Sequence, residues 1–104
     1  MTFERILENL LVNACTHTPP GTPVWLKIGV LADNVLVAVE DAGPGVPAES
    51  RQTIFELFRT GRHDDRRTGI GLWVVSRLTA LHGGRAWVEE RLGGGASFRV
   101  LLPK

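Results

Sequence analysis

Residues 24–40 read VWLKIGVLADNVLVAVE, and this stretch determines the fold class. Over residues 24–31, every second side chain is a branched aliphatic one, which is the period of a β-strand. Residues 32–34 (ADN) predict a turn, and the β-branched residues of 35–40 predict a second strand, antiparallel to the first. A doubly wound fold would need strands and helices to alternate throughout, so two consecutive strands argue against it.

The rest of the chain predicts helices and a second hairpin. A stripe of apolar residues at helical spacing runs from Phe3 to Ala14 after Thr2, a plausible N-cap, and residues 19–21 (PPG) stop that helix. We predict an α+β fold in a single domain, residues 1–104: a two-layer α/β sandwich whose mixed, mainly antiparallel sheet is covered on one face by helices. The remaining predicted elements are a short helix over 47–54, a mobile loop over 59–68, a helix over about 70–82, and strands over 85–90 and 97–102.

Composition limits the function. A net charge of +1 argues neither for nucleic acid nor for a membrane surface as a partner. No apolar run approaches the roughly 20 residues of a membrane-spanning helix. The single cysteine, Cys15, fits a reducing cytoplasm, and we expect it to be buried as a small apolar side chain. We therefore expect a cytoplasmic domain without nucleic-acid or membrane contacts.

Two asparagines mark one side of the first helix. Asn9 and Asn13 are four residues apart, which places them on the same helical face, beside the apolar stripe. An amide oxygen can ligate Mg²⁺, a cation that takes few protein ligands and relies on phosphate oxygens for others. Taken alone, such a pair is more often structural or solvated.

Residues 41–45 (DAGPG) follow the second strand. Glycines there allow a ligand to approach the backbone closely, and the carboxylate of Asp41 can accept a hydrogen bond from an exocyclic amine such as that of adenine. A tight turn with Asp41 as a local cap explains the same residues equally well.

A second glycine segment, residues 68–72 (TGIGL), leads into the apolar helix, whose free amides would form an anion site. It is not the dinucleotide fingerprint, because Val74 takes the place of the third glycine, and no lysine follows any glycine run as in a Walker loop. Phosphates would then need the arginines just upstream. Those arginines, which could equally pair with nearby aspartates in a solvated loop, are Arg62, Arg66 and Arg67.

Other catalytic groups are missing from the sequence pattern. The three histidines lack metal-ligand spacing, and no serine or cysteine nucleophile has a recognisable partner. We expect a domain that holds a phosphoryl donor without supplying the acceptor.

In this order, the segments resemble the catalytic, ATP-binding domain of bacterial sensor histidine kinases, of the superfamily that includes DNA gyrase, Hsp90 and MutL and has the Bergerat-type ATP-binding fold. Residues 8–14 (ENLLVNA) look like the N box, 41–45 like the first glycine box, 54–59 (IFELFR) like the F box and 68–75 (TGIGLWVV) like the second glycine box. Residues 94–98 (GGASF) look like the closing glycine segment. The resemblance covers nearly the whole chain.

The resemblance implies ATP and Mg²⁺ as cofactors and gives roles to single residues. Asn13 would ligate the metal, Asn9 would contact the phosphate side, and Asp41 would bind the adenine amine. Phe55 and Phe58 would anchor an ATP lid over residues 59–68. The remaining implied ATP-binding residues are Gly43, Gly45, Arg62, Arg66, Arg67, Thr68, Gly69, Ile70, Gly71 and Leu72, with Gly69 and Gly71 offering amides to the phosphates.

The implied partners are a histidine-containing dimerisation domain or partner kinase chain and, indirectly, a response regulator. No phosphoacceptor motif, dimerisation helices or sensor domain accompany the domain, so we expect a fragment or half of a split kinase that does not autophosphorylate alone. Thr16 stands where many relatives carry a basic residue, which removes a phosphate contact. An anti-sigma-factor serine kinase of the same superfamily and a nucleotide-binding module without turnover remain alternatives.

Overall fold

The computed structural model describes residues 2–56 and 66–104, with side chains for residues 3–56 and 71–104. Its two long helices are α1 (Thr2–His17) and α2 (Arg66–Leu81), and two 3₁₀ turns lie between them, at Ala48–Ser50 and Thr53–Phe55. The strands are β1 (Val24–Leu31), β2 (Asn34–Asp41), β3 (Arg85–Glu90) and β4 (Ala96–Pro103). No helix in these described ranges is long and apolar enough to cross a membrane.

The four strands form one sheet in the order β1-β2-β4-β3. All three neighbouring pairs are antiparallel, and the register places Asp41 opposite Ala96 and Val39 opposite Phe98. Because side chains alternate between faces, this register puts Asp41, Val39 and Phe98 on one face and Glu40 on the other. The α+β prediction and the two predicted hairpins are confirmed.

Both helices pack on the face that carries Val39 and Phe98. In α1 the buried residues Ile6, Leu10 and Ala14 recur every four positions, and in α2 the buried residues Leu72, Val75 and Thr79 recur at helical spacing. These stripes meet the buried strand residues in one core. The helix layer does not cover β1, the edge strand, whose Leu26, Ile28 and Val30 are 46–63% exposed.

Three expectations about the local structure were wrong. The helix expected over 47–54 is two 3₁₀ turns, in a stretch where the Thr53 hydroxyl donates to the backbone carbonyl of Ser50 and competes with α-helical bonding. Helix α2 begins at Arg66 rather than near residue 70, because two arginines are good helix formers and no proline interrupts residues 48–102. Cys15 is exposed, since it lies on the solvent side of α1.

The early start of α2 shortens the expected loop over 59–68, because residues 66–68 belong to the helix. The expected lid residues Arg62 and Phe58 lie outside the described residues, as do the side chains of residues 66–70. In an α-helix only the first four amides lack an intrahelical acceptor. In α2, which begins at Arg66, Gly69 is the fourth residue and Gly71 the sixth, and their expected amide contacts with phosphates stay predictions.

Candidate functional site

A cavity of about 350 Å³ lies between α1, the end of β2, residues 44–54, α2 and the start of β4. Its volume falls in the range of small-molecule and cofactor sites, roughly 300–1,000 Å³. Polar and apolar side chains share its wall. The lining residues are Asn13, His17, Thr18, Asp41, Pro44, Gly45, Val46, Pro47, Ser50, Thr53, Ile54, Leu72, Ala96 and Phe98.

Asn13 contributes the most unusual group in the cavity wall. Its side chain is only 3% exposed, and among the described residues neither its amide oxygen Oδ1 nor its amide nitrogen Nδ2 has a hydrogen-bond partner. A buried polar group without a partner costs about 1–3 kcal/mol, and folded proteins rarely leave one unsatisfied. Since the amide borders a cavity, a bound polar or metal-bearing ligand is the natural partner for it.

Asp41 closes another part of the cavity, at the last position of β2. One carboxylate oxygen, Oδ1, accepts a 2.9 Å hydrogen bond from the backbone amide of Gly43, which fixes the side chain at the strand end. Within the described residues, no donor bonds to the second oxygen, Oδ2. Asp41 is therefore the local cap that the sequence predicted, through Oδ1, and it also offers Oδ2 as a hydrogen-bond acceptor.

Glycines bring the cavity walls close together. A Cβ on Gly95 would overlap the carbonyl oxygen of Asp41, and a Cβ on Gly45 would lie 3.3 Å from the carbonyl oxygen of Gly95. Gly45 and Gly95 also have positive φ angles, of 81° and 106°. The first and last glycine segments, about 50 residues apart in the chain, therefore form one packed rim.

Asn9 lies one turn before Asn13 and contacts α2. Its Nδ2 donates to the carbonyl oxygen of Arg5 at 2.7 Å, while its Oδ1 lies 3.2 Å from the position of a Cβ on Gly71. Gly71 thus allows α2 to approach Asn9 closely, while its expected amide donation to a phosphate stays a prediction. Neither residue lines the cavity. Asn9 lies on α1 and faces Gly71, the sixth residue of α2.

Several lining residues were not singled out from the sequence, and two of them lie at the end of α1. His17 ends α1 at the cavity, although its spacing excluded it from any metal site. Thr18 donates its hydroxyl to the carbonyl oxygen of Ala14 at 2.7 Å, and its methyl group lies 2.7 Å from where a Cβ on Gly43 would be. Their position directly after Asn13 on the helix was the available signal. Thr16, by contrast, is exposed.

Phe55 and Leu72 contribute to the packing of the core more than to the surface that a ligand would contact. Leu72 is 2% exposed and forms part of both the core and the cavity wall. Phe55 is half-buried and packs against the core from the second 3₁₀ turn. Phe55 lies two residues before the undescribed residues 57–65, and its role as an anchor of the lid stays a prediction.

On the opposite face of the sheet, Glu40 is the centre of a charged cluster. It is 4% exposed, accepts a 2.7 Å hydrogen bond from the Ser97 hydroxyl and lies 3.0 Å from the Lys27 ammonium and 3.5 Å from the Arg99 guanidinium. Burial raises the pKa of this carboxyl, but Ser97, Lys27 and Arg99 lower it more, so the pKa lies below its ordinary value of 4.5. Glu40 therefore stays ionised and holds the strand end that carries Asp41.

Comparisons with known proteins agree with this geometry. Residues 1–104 match the family of histidine kinase-, DNA gyrase B- and HSP90-like ATPases. The chain belongs to that family. The alginate biosynthesis sensor protein KinB of Pseudomonas aeruginosa is 39% identical to the chain over 103 residues, a match that covers 99% of this chain and 17% of KinB.

Solved structures place the domain more narrowly within these ATPases. The catalytic domain of the histidine kinase ThkA, in a nucleotide-free form, aligns with a TM-score of 0.87 and 30% identity, over 99% of this chain and 66% of that one. Full-length ShkA in complex with AMPPNP aligns with a TM-score of 0.84 and 37% identity, over 98% of this chain and 21% of that one. The chain is thus a catalytic ATP-binding domain of the histidine kinase type, and it spans about a fifth or less of the length of KinB and ShkA.

Proposed function

We propose that this domain binds Mg²⁺–ATP in the cavity beside Asn13 and Asp41 and donates the γ-phosphoryl group to a histidine on a separate domain or chain. The observation that carries the proposal is the buried amide of Asn13, which has no hydrogen-bond partner in the part of the chain that the structure describes and borders the same cavity as the strand-end carboxylate. Likeness to sensor proteins supports a place in two-component signal transduction.

The adenine would lie at the sheet end of the cavity. Oδ2 of Asp41 would accept a hydrogen bond from the exocyclic amine, because Oδ1 is already held by the amide of Gly43. Apolar walls suited to a flat ring surround that position. They come from Val46, Ile54, Leu72, Ala96 and Phe98.

The metal and phosphates would lie at the helix end. Oδ1 of Asn13 fits as the single protein ligand of a Mg²⁺ ion whose other ligands are water and phosphate oxygens. Such an ion would supply positive charge that neutralises the phosphates. Asn9 would face the phosphates, and backbone amides at the start of α2 would add donors, with Gly69 and Gly71 as the positions that the resemblance implies. We also propose phosphate contacts for Arg62, Arg66, Arg67 and Thr68.

In the transfer step, a nitrogen of the acceptor imidazole would form a bond to the γ-phosphorus while the bond from that phosphorus to the bridging oxygen of ADP breaks. The acceptor loses its proton and ADP leaves as the second product. Such reactions depend mainly on positioning and charge stabilisation. The domain would supply both through its fixed asparagine and aspartate side chains.

Calorimetry with Mg²⁺ and a non-hydrolysable ATP analogue tests the site. We expect Asn13→Ala to abolish measurable binding. We expect Asp41→Asn to weaken it by about 10- to 100-fold, because the new amide keeps the cap on Gly43 while losing a charged acceptor. The control is Asp33→Asn, the same change in the exposed turn after β1. Wild-type affinity in both site variants would overturn the proposal.

The acceptor is tested by incubation with ATP labelled at the γ-phosphate and a purified histidine-containing dimerisation domain. We expect a labelled product that is lost in acid and stable in base, as a phosphoramidate is. An acid-stable product would instead identify a serine kinase. Tight nucleotide binding with no transfer to any supplied histidine domain would indicate a binding module without turnover.

A further inference from the structure

Four residues that pair in register cross the sheet on the face opposite both helices. We call this face, which carries Glu40, the Glu40 face. The four residues are Gly29 in β1, Leu36 in β2, Leu101 in β4 and Arg85 in β3. Leu36 and Leu101 are partly exposed, and a Cβ on Gly29 would meet no atom of the described residues within 4 Å. The row is therefore an apolar floor with open space above Gly29, and Arg85 lies at one end of it.

Basic side chains border this floor. The next row of the Glu40 face contains Lys27 in β1 and Arg99 in β4, whose side chains are 63% and 30% exposed. Lys27 and Gly29, like Arg99 and Leu101, are two residues apart on their strands, which is a separation of roughly 7 Å. Together with Arg85, these side chains place three cations next to the apolar floor.

The cations of the Glu40 face outnumber its carboxylates by four to two. The cations are Lys27, Arg85, Arg91 and Arg99, and the carboxylates are Glu40 and Glu89. Arg91 belongs to this face because its guanidinium carbon lies 4.1 Å from the centre of the Trp25 ring. Arg85 is exposed, and no carboxylate of residues 3–56 or 71–104 lies within ion-pair distance of it. The face is therefore complementary to an acidic partner.

We propose that the Glu40 face binds an amphipathic, acidic helix of a partner protein. Apolar side chains of that helix cover Leu36 and Leu101 and fill the space above Gly29. Its carboxylates bind the bordering cations, since a guanidinium can donate two parallel hydrogen bonds to a carboxylate. A helix is the element that covers an exposed sheet face, as α1 and α2 do on the other side.

Arg85 is the cation best prepared for this contact. Its guanidinium carbon lies 5.1 Å from the centre of the Trp87 ring, in a cation–π contact on the same face. Stacking uses the flat side of the guanidinium and leaves its edge, which carries the donors, free for a ligand. Lys27 and Arg99 also bind Glu40, so a partner's carboxylates share them. This mixture of charges suits carboxylates at fixed positions on a protein better than a uniformly anionic membrane surface.

The test is an NMR titration of the ¹⁵N-labelled domain with the amphipathic peptide acetyl-Glu-Ala-Glu-Leu-Glu-Ala-Glu-Leu-Ala-Ala-Leu-Glu-Ala-Glu-amide. Its matched control is the same peptide with glutamine in place of each glutamate. We expect the acidic peptide to shift the backbone signals of residues 27–29, 36, 85–87 and 99–101 and the indole signals of Trp25 and Trp87. The glutamine peptide should bind at least about tenfold more weakly, because it lacks the charged hydrogen bonds.

Arginine variants locate the contact. We expect Arg85→Gln to weaken binding of the acidic peptide about fivefold or more, and Arg77→Gln to change it less than twofold. Arg77 is the matched control because it is also exposed and also stacks on a tryptophan, with 6.0 Å from its guanidinium carbon to the centre of the Trp73 ring, but it lies on α2. Both variants should unfold at the wild-type temperature.

A pair of substitutions at Gly29 tests the apolar floor. Gly29→Glu should bind the acidic peptide about tenfold more weakly than Gly29→Gln, because both side chains fill the same open space and only glutamate repels the peptide. Thermal unfolding shows that each variant is folded. Asn13→Ala should bind the peptide normally, which separates this surface from the nucleotide site.

Four results would overturn the proposal. They are equal binding of the two peptides, no shifts on the Glu40 face at millimolar peptide, equal effects of the two arginine variants, and binding of the domain to phosphatidylserine vesicles without binding of the peptide, which would assign the face to a membrane surface instead.

Discussion

Gly95 and Asp41 meet so closely that a Cβ on Gly95 would overlap the carbonyl oxygen of Asp41. The two residues belong to different glycine segments, and the register of β2 and β4 brings them together by pairing Asp41 with Ala96. The adenine-side wall of the proposed site is therefore a direct product of sheet pairing.

Gly95→Ala should destabilise the domain by about 3 kcal/mol or more, because the backbone must move away from Asp41 and a non-glycine residue must adopt a φ of 106°. Gly94→Ala is the matched control, since Gly94 has the same φ but no atom within 4 Å of the added Cβ, so strain alone should cost about 1 kcal/mol. Urea denaturation measures both. Equal losses would mean that the close contact is unimportant.

Asn13→Ala should raise the stability of the nucleotide-free domain by about 1 kcal/mol while abolishing nucleotide binding. The substitution removes two buried polar atoms that have no hydrogen-bond partner within residues 2–56 and 71–104. Such an exchange of stability for function is typical of binding sites. Asn9→Ala is the comparison. It removes the hydrogen bond from Asn9 Nδ2 to the carbonyl oxygen of Arg5, so it should not stabilise the domain. Thermal unfolding without nucleotide checks both, and a clear loss of stability in Asn13→Ala would contradict the interpretation.

The contribution of Glu40 to stability should depend on pH. Because its pKa is lower in the folded chain than the ordinary 4.5, the stabilisation is fully present above that value and is lost as the pH falls through the folded pKa. The difference in free energy of unfolding between wild type and Glu40→Gln should therefore shrink below about pH 4.5. Ser97→Ala, which removes a hydrogen bond to the carboxylate, should move this loss to higher pH. Denaturant titrations at several pH values would show it; a constant difference would be evidence against the cluster.

Gly71→Ala should separate helix stability from ligand binding. Alanine favours a helix over glycine by about 1 kcal/mol, but the added Cβ would lie 3.2 Å from Asn9 Oδ1 and would push that side chain aside. We expect unchanged or higher thermal stability together with weaker nucleotide binding. In an Asn9→Ala background, Gly71→Ala should no longer weaken binding, and an undiminished effect there would argue against the contact with Asn9.

Much of the fold was predictable from local patterns. The alternation in residues 24–31 and the helical spacing of Ile6, Leu10 and Ala14 reflect burial on one face, which is visible in a sequence. The short helix over 47–54 was predicted wrongly because side-chain to backbone hydrogen bonds, such as that of Thr53, compete with α-helical bonding there. The start of α2 was predicted wrongly because the helix propensity of the residues before position 70 was not considered. Residue types alone do not reveal such local competition.

The site was predictable in composition but not in arrangement. Asn13 and Asp41 were both singled out, and the structure places them in one cavity. The full burial of Asn13 could not be foreseen, since helical spacing placed it beside the apolar stripe and only the packing of α2 and the sheet closes over it. The cluster around Glu40 joins residues up to 59 positions apart, a separation that no local pattern reveals.

Glu40 and Asp41 are neighbours on β2 and therefore face opposite sides of the sheet. Any ion, solvent condition or binding partner that disturbs the Glu40 cluster would act on the strand end that carries Asp41 without entering the proposed nucleotide site. For protein engineering, the face of the sheet that carries Glu40 is thus a place where substitutions can act on the proposed site from a distance. Substitutions at Lys27 or Arg99 could tune nucleotide affinity while every ligand-contacting side chain stays unchanged.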